Sequence, residues 1–195
     1  MQFIKRNDSG IWVIVATAGE FNHVDANICY TGIGKVNTAL AVQKLIDTEL
    51  TDATRPRLIV NLSTAGSSAF PFATIVNCTG FVQRDMNTTE FFGEKYTIPF
   101  SGDPQILEYG ARDENYPAAI CGSGDTFVRN ISEDIWNVVD MESWVIAHAC
   151  RAEGIPFVCY KFISDGSGEN TADHEWLDVL DAACAALNKL YEEII

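Results

Sequence analysis

The sequence predicts an α/β fold: one domain over residues 1–195, built as a three-layer α/β/α sandwich around a central sheet. Three observations carry this expectation. Apolar runs of strand length recur at residues 11–16, 58–62, 74–81, 118–121 and 157–163. Segments of helical periodicity lie among them, at 35–50, 141–153 and about 173–193. Strands alternating with helices build a sheet covered on both faces.

Taken in order, the run 11–16 (IWVIVA) follows Asp8 and is only strand length, which argues against a signal peptide at the basic N-terminus. Residues 35–50 open behind GIGK, which is too short to be a P-loop. The stretch from Gln83 to Gly110 is the least regular. It carries Phe91, Phe92, Tyr96 and Phe100, more aromatics than a solvated loop exposes, as expected of a loop covered by a partner or ligand. Val138 and Val139 read as strand, and Asp140 stands where it can cap the helix that begins at Met141. Along that helix Val145, His148, Ala149 and Ala152 fall at helical spacing, with Glu142 in the first turn. Gly154 before Ile155-Pro156 stops the helix. The run 157–163 (FVCYKFI) is nearly all apolar, as a strand buried on both faces is. The last helix sets Trp176, Leu180, Ala183, Leu187, Leu190 and Ile194 on one face.

Composition narrows the function. Of 195 residues 47 % are hydrophobic, which is globular composition, and 27 acidic against 13 basic residues give a formal charge of −14. Such a field repels phosphate backbones, so no nucleic acid is expected as a partner. No stretch reaches the roughly 20 apolar residues of a membrane helix, so no membrane partner is expected either. The six cysteines (Cys29, Cys78, Cys121, Cys150, Cys159, Cys184) lack CxxC spacing and read as reduced core residues of a cytoplasmic protein. His23, His148 and His174 form no HExxH pattern, and no metal or other cofactor is expected.

Each apolar run ends in a small, polar or acidic cluster: ATAGE, NLSTAGSSA, SGDTFV, VDMES and FISDGSG. Ligands of open α/β sheets gather at such carboxyl ends of strands. Singly, each cluster is an ordinary turn; Glu20, Glu142 and Asp165 read alone as a loop acid, a first-turn acid and a strand-end acid.

Together and in this order, GIGKVNTAL, NLSTAGSSA, SGDTFV and VDMES…IAHAC…IPFVCYKFISD resemble the nucleoside phosphorylase superfamily, and within it the methylthioadenosine/S-adenosylhomocysteine nucleosidases. The resemblance runs discontinuously from about Ile11 to the last helix and implies a nucleoside phosphorylase-like fold with a mixed central sheet. It departs from the family twice: only FNHVDANICYT separates Glu20 from Gly32, where the family carries a hairpin and a further strand, and the loop after Phe81 matches poorly.

The resemblance implies hydrolysis of the N-glycosidic bond of a purine nucleoside. Asp165 falls on the family's general acid for purine N7, which needs a pKa raised by apolar burial. Glu20 falls on the acid that activates water. Glu142 falls on the acceptor for the ribose hydroxyls, ionised to favour positive charge on the sugar, with Met141 packed beside it. Phe127 is implied to stack on the base and the Val128 backbone to read its edge. Ile33 lines the sugar side, Thr64 helps position water, and Phe91 reaches the 5′ pocket of a neighbouring subunit, implying a homodimer. Phosphorylases of the superfamily place an arginine three residues before the Ser/Thr of the Gly-Ser/Thr turn, where this chain has Asn61; Arg84 is the nearby arginine that runs against excluding phosphate. Water is therefore the expected nucleophile. A phosphate-dependent purine nucleoside phosphorylase, a futalosine- or adenosine-type hydrolase and an inactive nucleoside-binding protein are the alternative readings.

Overall fold

A computed structural model describes residues 1–49, 55–128, 131, 134–167 and 179–195. The strands are β1 (Gln2–Ile4), β2 (Ile11–Val15), β3 (Asn27–Tyr30), β4 (Leu58–Pro71), β5 (Ile75–Gln83), β6 (Leu107–Glu108), β7 (Ala118–Ser123), β8 (Val138–Asp140) and β9 (Phe157–Ser167). The helices are α1 (Lys35–Glu49), α2 (Thr89–Phe92), α3 (Ser143–Glu153) and α4 (Leu180–Ile194). All nine strands join one mixed sheet, in the order β1-β3-β2-β4-β8-β7-β5-β6, with β9 paired to both β4 and β5.

That last pairing closes a circuit. β4 pairs with β9, β9 with β5, β5 with β7, β7 with β8, and β8 returns to β4 at Gly66↔Val139. The closure depends on β4 running to 14 residues. Its first part is straight and parallel to β2 and β9; a register shift between Ala65 and Gly66 then bends it toward β8. The sequence expectation stopped this strand at Leu62, because its continuation STAGSSA is small and polar and carries no apolar signal.

The layers follow from strand alternation. Trp12 and Ile14 of β2, Ile59 of β4 and Cys159 of β9 face a cluster with Ala41, Val42, Leu45 and Ile46 of α1 and Trp144, Ile146, Ala147 and Cys150 of α3. Val13, Val15, Val60, Leu62, Val158 and Tyr160 face the opposite cluster, closed by Ala183, Leu187, Leu190 and Tyr191 of α4. Each buried leucine or isoleucine contributes about 1.5–3 kcal/mol of transfer energy. The expected face of the last helix thus holds from Ala183 to Leu190; Trp176 and the segment before Val179 lie outside the described residues.

Three readings are corrected. The buried face of α3 is Ser143, Trp144, Ile146, Ala147 and Cys150, rotated from the one read by spacing. The helix packs on the sheet beside α1 in the same layer, and His148 on the other side meets Asp103 at 3.1 Å. Asp140 belongs to β8, and the backbone N-cap of α3 is Glu142, whose side chain makes no capping bond. Tyr96 is not surplus aromatic surface: it packs edge-on against Trp136 at 4.8 Å and its hydroxyl meets Asp134 at 2.7 Å. Short strands β1, β3 and β6 carry too few residues to show periodicity. β3 fills the edge where the family's extra hairpin is missing, parallel to β2 and flanked by antiparallel β1. Gly154 stops α3 as expected, in the left-handed conformation at φ 63°. All six cysteines are free, five of them buried.

Candidate active site

One cleft opens along the carboxyl ends of the strands. Its walls include Glu20, Ile33, Thr64, Phe127, Val128, Met141, Glu142 and Asp165, eight of the nine side chains singled out from sequence. Phe91 is not among them: it sits on α2 and is 79 % exposed.

Beneath the cleft lies a buried charge. Lys161 rises from the middle of β9 with no exposed surface, and its ammonium donates to Asp140 Oδ2 at 2.8 Å, to Asn61 Oδ1 at 2.8 Å and to Ser63 Oγ. An ammonium has three donors, and all three are used. Asp140 takes further bonds from the Ser123 hydroxyl at 2.5 Å and from Ser143 N at 2.9 Å, so it does bond the start of α3 as a cap would. Burial alone drives the Asp140 carboxyl up, but Lys161 and the serine donors outweigh it and hold the group far below the usual carboxylate range. Burial likewise opposes the Lys161 charge, and Asp140 overcomes it, holding the amine well above its usual value. The sequence reading passed over Lys161 as part of an apolar run. The signal was there: one lysine in a strand buried on both faces demands an anion.

Three carboxyl groups stand over this base. Glu20 is 3 % exposed, at the end of the turn that follows β2. Its Oε1 accepts Thr64 N at 2.9 Å and the Thr64 hydroxyl at 2.8 Å; its Oε2 accepts Thr17 N and the Thr17 hydroxyl, both at 3.2 Å. Asp165 lies inside β9, opposite Gly66 of β4, not at a strand end. Burial raises its carboxyl above the ordinary value, partly offset by a 2.8 Å bond from the Ser164 hydroxyl, which is the direction a general acid needs. Gly66 makes the room: a Cβ there would stand 2.7 Å from Asp165 Oδ2. Glu142 follows β8 and accepts Gly34 N at 2.7 Å, tying α3 to the GIGK turn. Burial first, then the negative charges of Asp140 and Glu20, push it up to about 8 against the opposing Gly34 bond and Lys161. Burial, with the charges of Asp140 and Glu20 added to it, thus favours the protonated form of the Glu142 carboxyl over the ionised one.

Phe127 is 56 % exposed at the mouth of the cleft, which removes the plain-core reading of that ring. The turn that carries it is held by Arg84, whose Nη2 donates to the carbonyls of Gly124, at 3.1 Å, and Thr126. Arg84 also lines the cleft, as does Asp140, so the wall carries four carboxyl groups and one guanidinium among the described residues.

Comparisons with known proteins agree with this geometry. The sequence model of the Phosphorylase superfamily matches residues 13–195. The chain is 28 % identical over 210 residues to the 5′-methylthioadenosine/S-adenosylhomocysteine nucleosidase of Haemophilus influenzae (strain PittEE), covering 97 % of this chain and 89 % of the relative. It is 29 % identical over 197 residues to the enzyme of the same name from Buchnera aphidicola subsp. Acyrthosiphon pisum, covering 91 % and 82 %. Among solved structures, the Helicobacter pylori nucleosidase of that name with butyl-thio-DADMe-Immucillin-A superimposes with a TM-score of 0.76 at 18 % identity, covering 94 % of this chain and 96 % of the other. Native futalosine hydrolase of the same species gives 0.75 at 18 % identity, covering 93 % and 95 %. At that identity the likeness is one of fold.

Two outcomes are expected from this electrostatic arrangement. Lys161→Met leaves Asp140 buried without its cation and should cost about 3–5 kcal/mol in a urea unfolding curve. Adding Asp140→Asn should return part of the loss, since the two effects are not additive. For Glu142, the folded protein holds a proton that the unfolded chain releases between pH 4.5 and about 8. Stability attributable to this group is thus full below about pH 4.5 and falls as pH rises through that window, by a few kcal/mol. Thermal midpoints of Glu142→Gln should lack this slope; equal slopes in mutant and wild type would refute the assignment.

Proposed function

Since the chain belongs to the phosphorylase superfamily, we propose that it is a purine nucleosidase that hydrolyses the N-glycosidic bond of methylthioadenosine- or S-adenosylhomocysteine-like nucleosides. The observation that carries this reading is the convergence of Asp165 from β9, Glu20 after β2 and Glu142 after β8 on one cleft with an exposed aromatic ring at its mouth.

Breaking the bond leaves negative charge on the base and positive charge on the sugar. Asp165 gives a proton to purine N7 as the base departs, and burial raises its carboxyl in the direction that role needs. Glu20 takes a proton from water, with Thr64 beside it. Glu142 engages the ribose hydroxyls, and positive charge building on the sugar favours its ionised form over the protonated one. Phe127 stacks on the base and the Val128 backbone reads its edge, while Ile33 and Met141 line the sugar.

Water suits this site better than phosphate. A phosphate dianion would enter a wall of four carboxyl groups. Lys161, the cation beneath, has no donor left, and Arg84 commits an amino group to two carbonyls. The reading extends to a single nucleoside phosphorylase-like domain over residues 1–195, working in the cytoplasm in methionine salvage. It extends also to a homodimer in which Phe91 reaches the 5′ end of the partner's cleft. Phe91, Phe92 and Phe100 are exposed, with Phe92 in ring contact with each of the other two, and Ile33, Val36 and Leu40 are exposed as well, which supports burial of apolar surface by a second copy.

Incubation with methylthioadenosine, adenosine and inosine, with and without phosphate, tests the reaction. Free base and unphosphorylated sugar are expected, at a rate that phosphate does not raise; a sugar 1-phosphate among the products defeats the hydrolase reading. Glu20→Gln and Asp165→Asn should each lose roughly 10²-fold or more in kcat. Sedimentation should give twice 21.5 kDa. A monomer fully active at nanomolar concentration removes the shared cleft.

A further inference from the structure

We propose that Thr17 is a positioning residue for Glu20, steering the Oε2 oxygen toward the attacking water; this rests on the nucleosidase reading above. Residues 17–20 form a turn closed by Glu20 N donating to the Thr17 carbonyl at 3.2 Å. Main-chain closure would hold that turn unaided. The Thr17 side chain adds something the turn does not need: a hydroxyl donor to Oε2, beside the bond from its own N–H. The result mirrors the other oxygen, where Thr64 supplies an N–H and a hydroxyl to Oε1.

The two halves of this clamp differ in strength. Thr64 binds Oε1 at 2.8–2.9 Å, and Thr17 binds Oε2 at 3.2 Å twice. Hydrogen bonds weaken with length, so Oε1 is the anchored oxygen and Oε2 the less committed one. A general base must offer an oxygen to the proton it takes, in a fixed direction. Thr17 provides direction at little cost in availability. The clamp also holds Glu20 in place beside Glu142, on the same cleft. Beside the turn, a Cβ at Gly19 would stand 3.0 Å from Leu180 Cδ1 of α4, so the turn and α4 approach closely there. In the reaction, the water O–H bond breaks, its proton goes to Glu20 Oε2, and the oxygen bonds to the anomeric carbon as the base leaves with the proton from Asp165.

Two substitutions separate a donor from a spacer. Thr17→Val keeps the shape and loses the hydroxyl; Thr17→Ser keeps the hydroxyl and loses a methyl. With methylthioadenosine as probe and free adenine as readout, Thr17→Val should lower kcat roughly tenfold or more with KM within about twofold. Thr17→Ser should stay within about threefold of wild type. A packing role predicts the reverse order, with Ser impaired and Val normal, and that result overturns the proposal. Wild-type turnover left unchanged in Thr17→Val overturns it alone. No adenine release by the wild type, from any nucleoside tested, overturns the nucleosidase reading and this proposal with it.

Discussion

The ion pair between Lys161 and Asp140 is the interaction on which the rest of the structure turns. It joins β9 to β8 across the floor of the closed circuit and draws in Asn61 and Ser63 from β4. Through Ser123 and Ser143 it reaches β7 and the start of α3. Five elements are thus fixed to one buried charge. Burying two ions is costly, and it is tolerated here because every donor of the ammonium is met and the carboxylate has serine partners besides. The pair also sets the tone of the cleft above it. Asp140 stays ionised under the wall, and its field, with burial, is what raises Glu142. Structure and chemistry are coupled at this point: the group that holds the strand ends together also decides which acid above them carries a proton.

The three acids are separated by environment more than by type. Glu20 receives four donors, Glu142 one from the main chain, and Asp165 one from its neighbouring serine. Donors favour the charged form and burial the neutral one. A fold that must offer a proton to a leaving base gains from a carboxyl that burial raises, as it does at Asp165.

Much of this was legible in the sequence, and the reasons are local. Glu20, Glu142 and Asp165 each follow a strong apolar run, yet each read alone as an ordinary turn or strand-end acid, and only the order of the surrounding motifs singled them out. Helices α1 and α4 have long periodic faces. Phe127 could be lifted from the core only by the motif around it, since a phenylalanine alone says nothing about exposure. What escaped was non-local. Lys161 looked like part of an apolar strand because its partners, Asn61 and Asp140, lie far away in the chain. The protonation of Glu142 depends on Asp140 and on Glu20, more than a hundred residues upstream. The length of β4 escaped because STAGSSA is held by pairing with β9 and β8, not by its own propensity. The face of α3 was misjudged because the helix packs against α1 beside it as well as against the sheet.

The pairing of β4 with β9 joins residues such as Asn61 and Cys159, 98 positions apart. Contacts of that span form late, because a long loop must be closed before any of them is made. Asp165 and the lysine under the cleft both arrive on β9. During synthesis, β2, α1 and β4 can emerge and begin to collapse with Glu20 already in place, yet neither the acid for the base nor the cation for Asp140 exists until the last third of the chain has left the ribosome. On the proposed reading, the proton donor and the cation for Asp140 arrive together with β9, so the cleft is complete only once that strand has paired with β4 and β5.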